Sequence, residues 1–199
     1  MIAIVDYGVG NLRSLENAFE FLGVACRRIT TPEEILAAKK LVLPGVGAFY
    51  YAVKNLRDLN LESVLLGQIQ RGVPILGICL GMQLLFTRSE EGQATPGLEV
   101  IEGEVRRFDG ELKVPQIGWN EIVIQRESRL LKNLPLTRHA YFVHSYFCDP
   151  VDSQVVLATA DYGRRFPAIV QKANVFGVQF HPEKSQELGL QILKNFAGL

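Results

Sequence analysis

Apolar residues in the first half of the chain form short continuous runs that alternate with stretches of helical spacing. Ile2 to Val5 is an unbroken apolar run, the mark of a strand covered on both faces. Leu12, Leu15, Ala18, Phe19 and Leu22 then recur every three to four residues, as the inner stripe of a helix does. Val24 to Ile29 predicts a second strand. In Thr31-Pro32-Glu33-Glu34 a capping Thr precedes Pro at the first helical position and Glu at the third, so a short helix should start there. Leu41 to Leu43 is a third strand stopped by Pro44-Gly45, residues 48 to 70 look helical in two pieces, and Pro74 to Ile78 is a fourth strand, followed by a helix over Met82 to Phe86. Strands separated by helices imply a parallel sheet.

The second half changes character. Strand-like runs at Val100 to Phe108, Glu121 to Gln125, Ala140 to Phe147, Val155 to Ala160, Ala168 to Gln171 and Val175 to Phe180 lie too close together for helical crossovers. Some should be antiparallel hairpins added to the parallel core, since Lys172-Ala173-Asn174 is short enough to join its flanking strands directly. Ile192, Leu193 and Phe196 make one apolar face of a closing helix over Gln186 to Phe196. With no repeat or linker in view, the expected architecture is a single three-layer α/β domain over residues 1 to 199.

Composition narrows the partners. Twenty-one basic side chains balance 21 acidic ones, and no Lys/Arg block gives a pull toward phosphate backbones, so nucleic acid is not an expected partner. Apolar stretches are too short for a membrane span, and Met1-Ile2-Ala3-Ile4-Val5-Asp6 lacks the basic start of a signal peptide, which predicts a cytoplasmic location. Three scattered cysteines, Cys26, Cys79 and Cys148, with no CxxC pair, make neither a disulfide framework nor a metal pattern.

One of those cysteines sits in a special place. In Gly77-Ile78-Cys79-Leu80-Gly81 the thiol lies where a strand meets a helix, with glycines two residues to either side, which is the nucleophile elbow in cysteine form. The geometry exposes the sulfur at a helix start, where free amides and the helix dipole favour thiolate. Cys26 and Cys148 lack that setting and are read as structural. Of His139, His144 and His181, the last has the best context for a base: it follows an apolar strand, and Pro182 links it to Glu183, whose carboxylate can orient the imidazole. Pro44-Gly45-Val46-Gly47, after a neighbouring strand, can present oxyanion donors beside the Leu80 amide. Gly8-Val9-Gly10 suggests a dinucleotide loop, but Arg13 stands where its third glycine should be, so no nicotinamide cofactor is expected.

Gly77-Ile78-Cys79-Leu80-Gly81-Met82-Gln83 and Gln179-Phe180-His181-Pro182-Glu183 together resemble the class I (triad) glutamine amidotransferases. Asp6-Tyr7-Gly8-Val9-Gly10-Asn11-Leu12-Arg13-Ser14, Pro44 to Phe49, Gly118-Trp119-Asn120 and Lys184-Ser185 narrow the likeness to the glutaminase subunits of imidazole glycerol phosphate synthases. The resemblance spans residues 6 to 185 and implies that family's flavodoxin-like fold, a mainly parallel sheet flanked by helices with added antiparallel strands.

By that resemblance Cys79 attacks the side-chain amide of glutamine, His181 shuttles protons and Glu183 orients it, through a glutamyl thioester that releases ammonia. Gly47, Gln83, Glu91, His144, Ser145 and Tyr146 would bind glutamine, with the amides of Val46 and Leu80 as the oxyanion hole and with no cofactor or metal. From composition alone His144 is a strand histidine without a task. The implied partner is a cyclase subunit with a (β/α)₈ barrel, which receives ammonia and makes imidazole glycerol phosphate and AICAR in histidine biosynthesis. Asn11, Trp119, Asn120, Tyr141 and Lys184 would lie at or near that interface. Trp119 is either a core residue or, between turn formers, a surface anchor. Glycines on either side of Val46 would ease a peptide rotation on partner binding. Pro115-Gln116-Ile117 departs from the family's usual Pro-His-Met, which bears on the partner contact. The competing readings are the glutaminase of pyridoxal phosphate synthase and a stand-alone cysteine hydrolase.

Overall fold

The computed structural model describes all residues except Gln93, Gly110 and Glu111. Its first half alternates strands with helices, two of them between β3 and β4: β1 (Ile2–Val5), α1 (Leu12–Phe21), β2 (Cys26–Ile29), α2 (Pro32–Ala37), β3 (Leu41–Leu43), α3 (Phe49–Asp58), α4 (Leu61–Gln70) and β4 (Ile75–Ile78). Helix α2 starts as its sequence predicts, since the Thr31 hydroxyl accepts from the Glu34 amide and the Glu34 carboxylate accepts from the Thr31 amide in return. The second half follows with α5 (Leu80–Leu84), β5 (Phe86–Ser89), β6 (Thr95–Pro96), β7 (Ile101–Arg107), β8 (Gln116–Ile124), β9 (His139–His144), β10 (Tyr146–Pro150), β11 (Val156–Asp161), β12 (Arg165–Lys172), β13 (Val175–Val178) and α6 (Gln186–Ala197).

Nine strands form one sheet in the order β2-β1-β3-β4-β13-β12-β11-β8-β9, parallel from β2 through β13 and antiparallel from there on. The hairpin β12-β13 turns through Ala173 in the left-handed region (φ 51°). Strand alternation splits the parallel core into two apolar layers. Ile2, Ile4, Val42, Leu76 and Val178 pack with Leu15 and Phe19 of α1 and Ile192 and Phe196 of α6. On the other face Ala3, Val5, Leu41, Leu43 and Ile75 pack with Ile35, Leu56 and Leu65 of α2, α3 and α4. Each fully buried Leu, Ile or Phe contributes about 1.5–3 kcal/mol. The three layers are those the sequence predicts.

Three local expectations are corrected. The helix after Cys79 begins at Leu80 and ends at Leu84, while Phe86 opens β5, because Phe86 pairs with Ile101 of β7. The run Ala140 to Phe147 is two strands in two different sheets: β9 closes the large sheet, and β10 belongs to a four-stranded sheet ordered β10-β7-β5-β6. The break lies at Ser145, where the buried positions change phase from Ala140, Phe142 and His144 to Phe147. Strand β8 starts at Gln116, five residues before Glu121, because pairing with β9 overrides the poor strand propensity of Gly118 and Asn120.

Candidate active site

The carboxyl ends of β3, β4 and β13 meet at one edge, where an open parallel sheet offers a crevice. Cys79 joins β4 to α5 with φ 53° and ψ −110°, a conformation that costs a non-glycine residue of order 1–3 kcal/mol. Packing enforces it. A Cβ on Gly77 would sit 2.6 Å from the Gly81 carbonyl oxygen, and one on Gly81 would sit 1.8 Å from that of Leu43. Both flanking glycines are therefore steric requirements of the elbow, as its sequence suggests. Helix α5 has only five residues, so its dipole is small, but Leu80 opens it and its amide is free of any helical bond. The Gln179 amide nitrogen lies 3.7 Å from the sulfur.

Strand β13 delivers His181 to the same edge. Its Nδ1 lies 2.9 Å from Oε1 of Glu183, and both side chains are almost wholly buried. The carboxylate can only accept here, so Nδ1 carries the proton. The loop is held by Ser185, whose hydroxyl donates to the His181 carbonyl (2.7 Å) and accepts from the Tyr141 amide (2.9 Å). The His181 amide in turn donates to the Tyr141 carbonyl at 3.0 Å. Burial lowers the His181 pKa, but interactions with Cys79 and Glu183 outweigh it and raise the value from 6.5 to about 10. After burial the hydrogen-bonding influence of Cys79 is the largest of these, followed by that of Glu183 and then by the charges of both.

A cavity of about 350 Å³ opens over the sulfur, room for roughly a dozen waters at their liquid volume. Val46, Gly47, Cys79, Leu80, Gln83, Glu91, His144, Ser145, Tyr146 and His181 all line it, so the structure gathers every residue expected to bind or transform substrate except Glu183, which stands behind His181. Glu91 accepts from the Phe49 amide at 2.7 Å, which fixes one end of the Pro44 to Ala48 loop. At the other end the buried Tyr7 hydroxyl donates to the Pro44 carbonyl at 2.6 Å. Burial, and then Cys79, push the Tyr7 phenol up, so it stays neutral. His144 Nδ1 lies 2.8 Å from the Tyr146 carbonyl, and burial lowers its pKa from 6.5 to about 4. It is a neutral imidazole with Nδ1 protonated. Cys148 is a buried thiol pushed well above its usual range, first by burial and then by Cys79, and Cys26 is pushed up by burial and by Glu16 and Glu20.

Sequence reasoning assigned no task to Gln179, Tyr7 or Ser185. A readable signal existed only for Gln179, a polar residue closing an otherwise apolar strand run.

The expected interface residues are spread over a wider patch. Trp119 is 46% exposed, so it is the surface residue of the two alternatives. It packs edge-on against Tyr141 with ring centroids 5.8 Å apart, and Lys184 Nζ lies 5.7 Å from the Tyr141 ring. Asn11 precedes α1 beside His181 and Glu183. Asn120 points to the opposite face of β8 from Trp119 and is engaged within the fold, accepting from Gln116 (2.7 Å) and donating to the Asp161 carbonyl (2.8 Å).

Comparison with known proteins adds to this geometry. Residues 3–198 match the family Glutamine amidotransferase class-I. The chain is 50% identical to the imidazole glycerol phosphate synthase subunit HisH of Syntrophotalea carbinolica over 206 aligned positions, covering all of both chains. It is 48% identical to the HisH subunit of Moorella thermoacetica over 198 positions, covering all of this chain and 94% of that one. Among solved structures, a glutamine amidotransferase superposes with a TM-score of 0.78 at 22% identity over the full length of both chains, a likeness of fold.

Proposed function

The chain belongs to the class-I glutamine amidotransferases and, within them, to the HisH subunits of imidazole glycerol phosphate synthase, and on that premise we propose that Cys79, His181 and Glu183 hydrolyse glutamine. The observation that carries the reading is an elbow cysteine lining a cavity, with a histidine on the same edge whose far nitrogen is 2.9 Å from a buried carboxylate. Sγ of Cys79, its proton already carried by His181, attacks the amide carbon of glutamine. His181, protonated at rest, gives its Nε2 proton to the leaving nitrogen, and ammonia departs from a glutamyl thioester. His181 then takes a proton from the water that releases glutamate. Glu183 holds Nδ1 and favours the imidazolium. The amides of Leu80 and Val46 receive the oxyanion.

Glutamine binding is assigned to Gly47, Gln83, Glu91, His144, Ser145 and Tyr146. The Glu91 carboxylate suits the substrate's α-ammonium group, and the neutral Nε2 of His144 is an unused acceptor on the same cavity. The chain acts as one amidotransferase unit over residues 1 to 199 and pairs with a cyclase subunit, a (β/α)₈ barrel, which makes imidazole glycerol phosphate and AICAR in the cytoplasm. Exposed Trp119 and Lys184 around the half-buried Tyr141, with Asn11 beside His181, support a docking face next to the base. A sealed path there keeps ammonia from being protonated in bulk water. No helix among the described residues is long and apolar enough to cross a membrane.

The test is glutamate release by the chain alone and with the cyclase subunit loaded with its nucleotide. Strong stimulation by the loaded partner is the expected result. Folded protein with a free Cys79 thiol that releases no glutamate in either condition overturns the reading.

A further inference from the structure

Gln179 is the residue the chemistry above leaves unused. It is fully buried between β13 and His181, and its backbone amide is tied to the Ala168 carbonyl at 2.9 Å. Its side chain belongs to a chain of polar contacts running from the far wall of the cavity to the sulfur. Gln83 Nε2 donates to the Tyr146 carbonyl (3.0 Å) and to Gln179 Oε1 (3.2 Å), and Gln179 Nε2 lies 3.7 Å from Cys79 Sγ.

The direction of that chain is forced. A backbone carbonyl can only accept, and the Tyr146 oxygen already receives His144 Nδ1, so Gln83 must turn its NH₂ group toward it. The remaining hydrogen of that group points at Gln179, whose oxygen must therefore face Gln83. Its own NH₂ is left facing the sulfur. A flipped Gln179 would set its nitrogen against the Gln83 nitrogen and its oxygen against the nucleophile. Sulfur is a weak acceptor as a thiol and a far better one as an anion.

We propose that Gln179 is a positioning residue for Cys79, held by Gln83 and the Tyr146 carbonyl so that its amide N–H points at the sulfur and favours the thiolate. This inference rests on Cys79 being the nucleophile of the reading above. It differs from a packing role, in which a buried amide would merely stitch β13 to α5. Other groups bear on the same sulfur and stay unchanged in the test: His181 from β13, Tyr7 from the end of β1 and Cys148 from β10, with Glu91 and His144 on the cavity and Glu183 behind His181.

The test compares wild type with Gln179→Met, which keeps the length and removes the donor. The pH dependence of Cys79 alkylation by iodoacetamide is followed on the full chain by peptide mapping, with folding checked by thermal unfolding. The alkylation midpoint should rise by about one pH unit, since a charge-assisted bond to the thiolate is lost. With the loaded cyclase, kcat for glutamine should fall about tenfold while KM stays within about twofold, because the donor touches the nucleophile and not the substrate. Gln179→Glu supplies a second variant if Gln179→Met does not fold: its carboxylate still accepts from Gln83 and turns an acceptor toward the sulfur, so the midpoint should rise at least as far. An unchanged midpoint in either folded variant overturns the proposal. A wild-type chain that is alkylated at Cys79 but ignores a glutamine-like diazoketone would instead overturn the glutaminase reading, while the alkylation comparison still decides the role of Gln179.

Discussion

The cavity has two walls of different origin, and each carries a buried histidine. One wall is the carboxyl edge of the parallel strands, which ends in the Pro44 loop, Cys79 and His181. The other is the stretch Val143 to Tyr146, where the chain leaves the large sheet for the small one. Burial lowers the pKa of both imidazoles. His181 rises to about 10 because Cys79 and Glu183 outweigh burial, whereas His144 falls to about 4 because burial, helped by the charge of His181, outweighs its bond to the Tyr146 carbonyl. Burial sets the charge of His144, and only at His181 are the neighbours strong enough to reverse it. One wall is thus a charged, reactive pair and the other a neutral receiving surface.

The most severe way to break the contrast is to remove the reactive wall's sulfur. Cys79→Ala should abolish glutamate release, a loss of about a thousandfold or more, while synthesis from added ammonium salt in the reconstituted pair survives. Full glutamine-dependent activity in that variant would sink the assignment. A finer break converts His181 toward its counterpart. Glu183→Gln keeps the shape and removes the charge that Nδ1 leans on, so the imidazolium is lost at lower pH. Turnover should fall about a hundredfold, and the basic limb of its pH profile should move down. A profile that stays in place would mean that Cys79 alone sets the state of His181.

The same two walls differ in how far the sequence reveals them. The reactive wall is written locally: Ile75 to Ile78 is a continuous apolar run, the glycines at 77 and 81 mark the elbow, and His181 and Glu183 lie two residues apart. Each signal needs only its neighbours in the chain. The receiving wall depends on a strand that changes sheet at Ser145, and a change of alternation phase within one apolar run is invisible until the partners of both halves are known. His144 accordingly had no task from pattern alone. Gln179 and Tyr7 escaped for a related reason: each acts through a contact to a residue far along the chain, Gln83 and Pro44, that no local spacing encodes.

A third prediction uses stability and gives the two histidines opposite signs. His144 is held neutral, so below its unfolded value near 6.5 the unfolded chain binds a proton that the native state refuses. Its contribution is present above 6.5 and is lost as pH falls through about 4, on the order of 3 kcal/mol in all. His181 runs the other way: its contribution is full below 6.5 and is lost as pH rises through about 10. Thermal unfolding of His144→Phe against pH checks this. A phenyl ring fits among Phe108, Phe142 and Phe166, whose centroids lie 5.3–5.6 Å from the imidazole, so the acid limb should flatten while the alkaline limb stays. An acid limb as steep as in wild type would remove His144 as its source.

The smallest expected effect separates two parts of the reactive wall itself. The elbow is fixed by backbone packing, with no room for a Cβ at Gly77 or Gly81, whereas at Gly47 (φ 99°) a Cβ would meet nothing within 4 Å. The oxyanion loop is open at Gly47 but packed at Gly45, where a Cβ would come 2.9 Å from Leu80 and 3.0 Å from Gly81, and its ends are held by the Tyr7 hydroxyl on the Pro44 carbonyl and by Glu91 on the Phe49 amide. Tyr7→Phe removes the first clamp and leaves a buried carbonyl without its donor, which costs about 1–2 kcal/mol in unfolding free energy. Because nothing in the elbow changes, Cys79 should be alkylated at nearly the wild-type rate while glutamate release shifts by about threefold. That split would mean that the nucleophile and its oxyanion donors are positioned by separate devices, one rigid and one free to turn at Gly47. Equal slowing of both reactions would mean instead that the phenol acts on the sulfur directly, and that the wall moves as one piece.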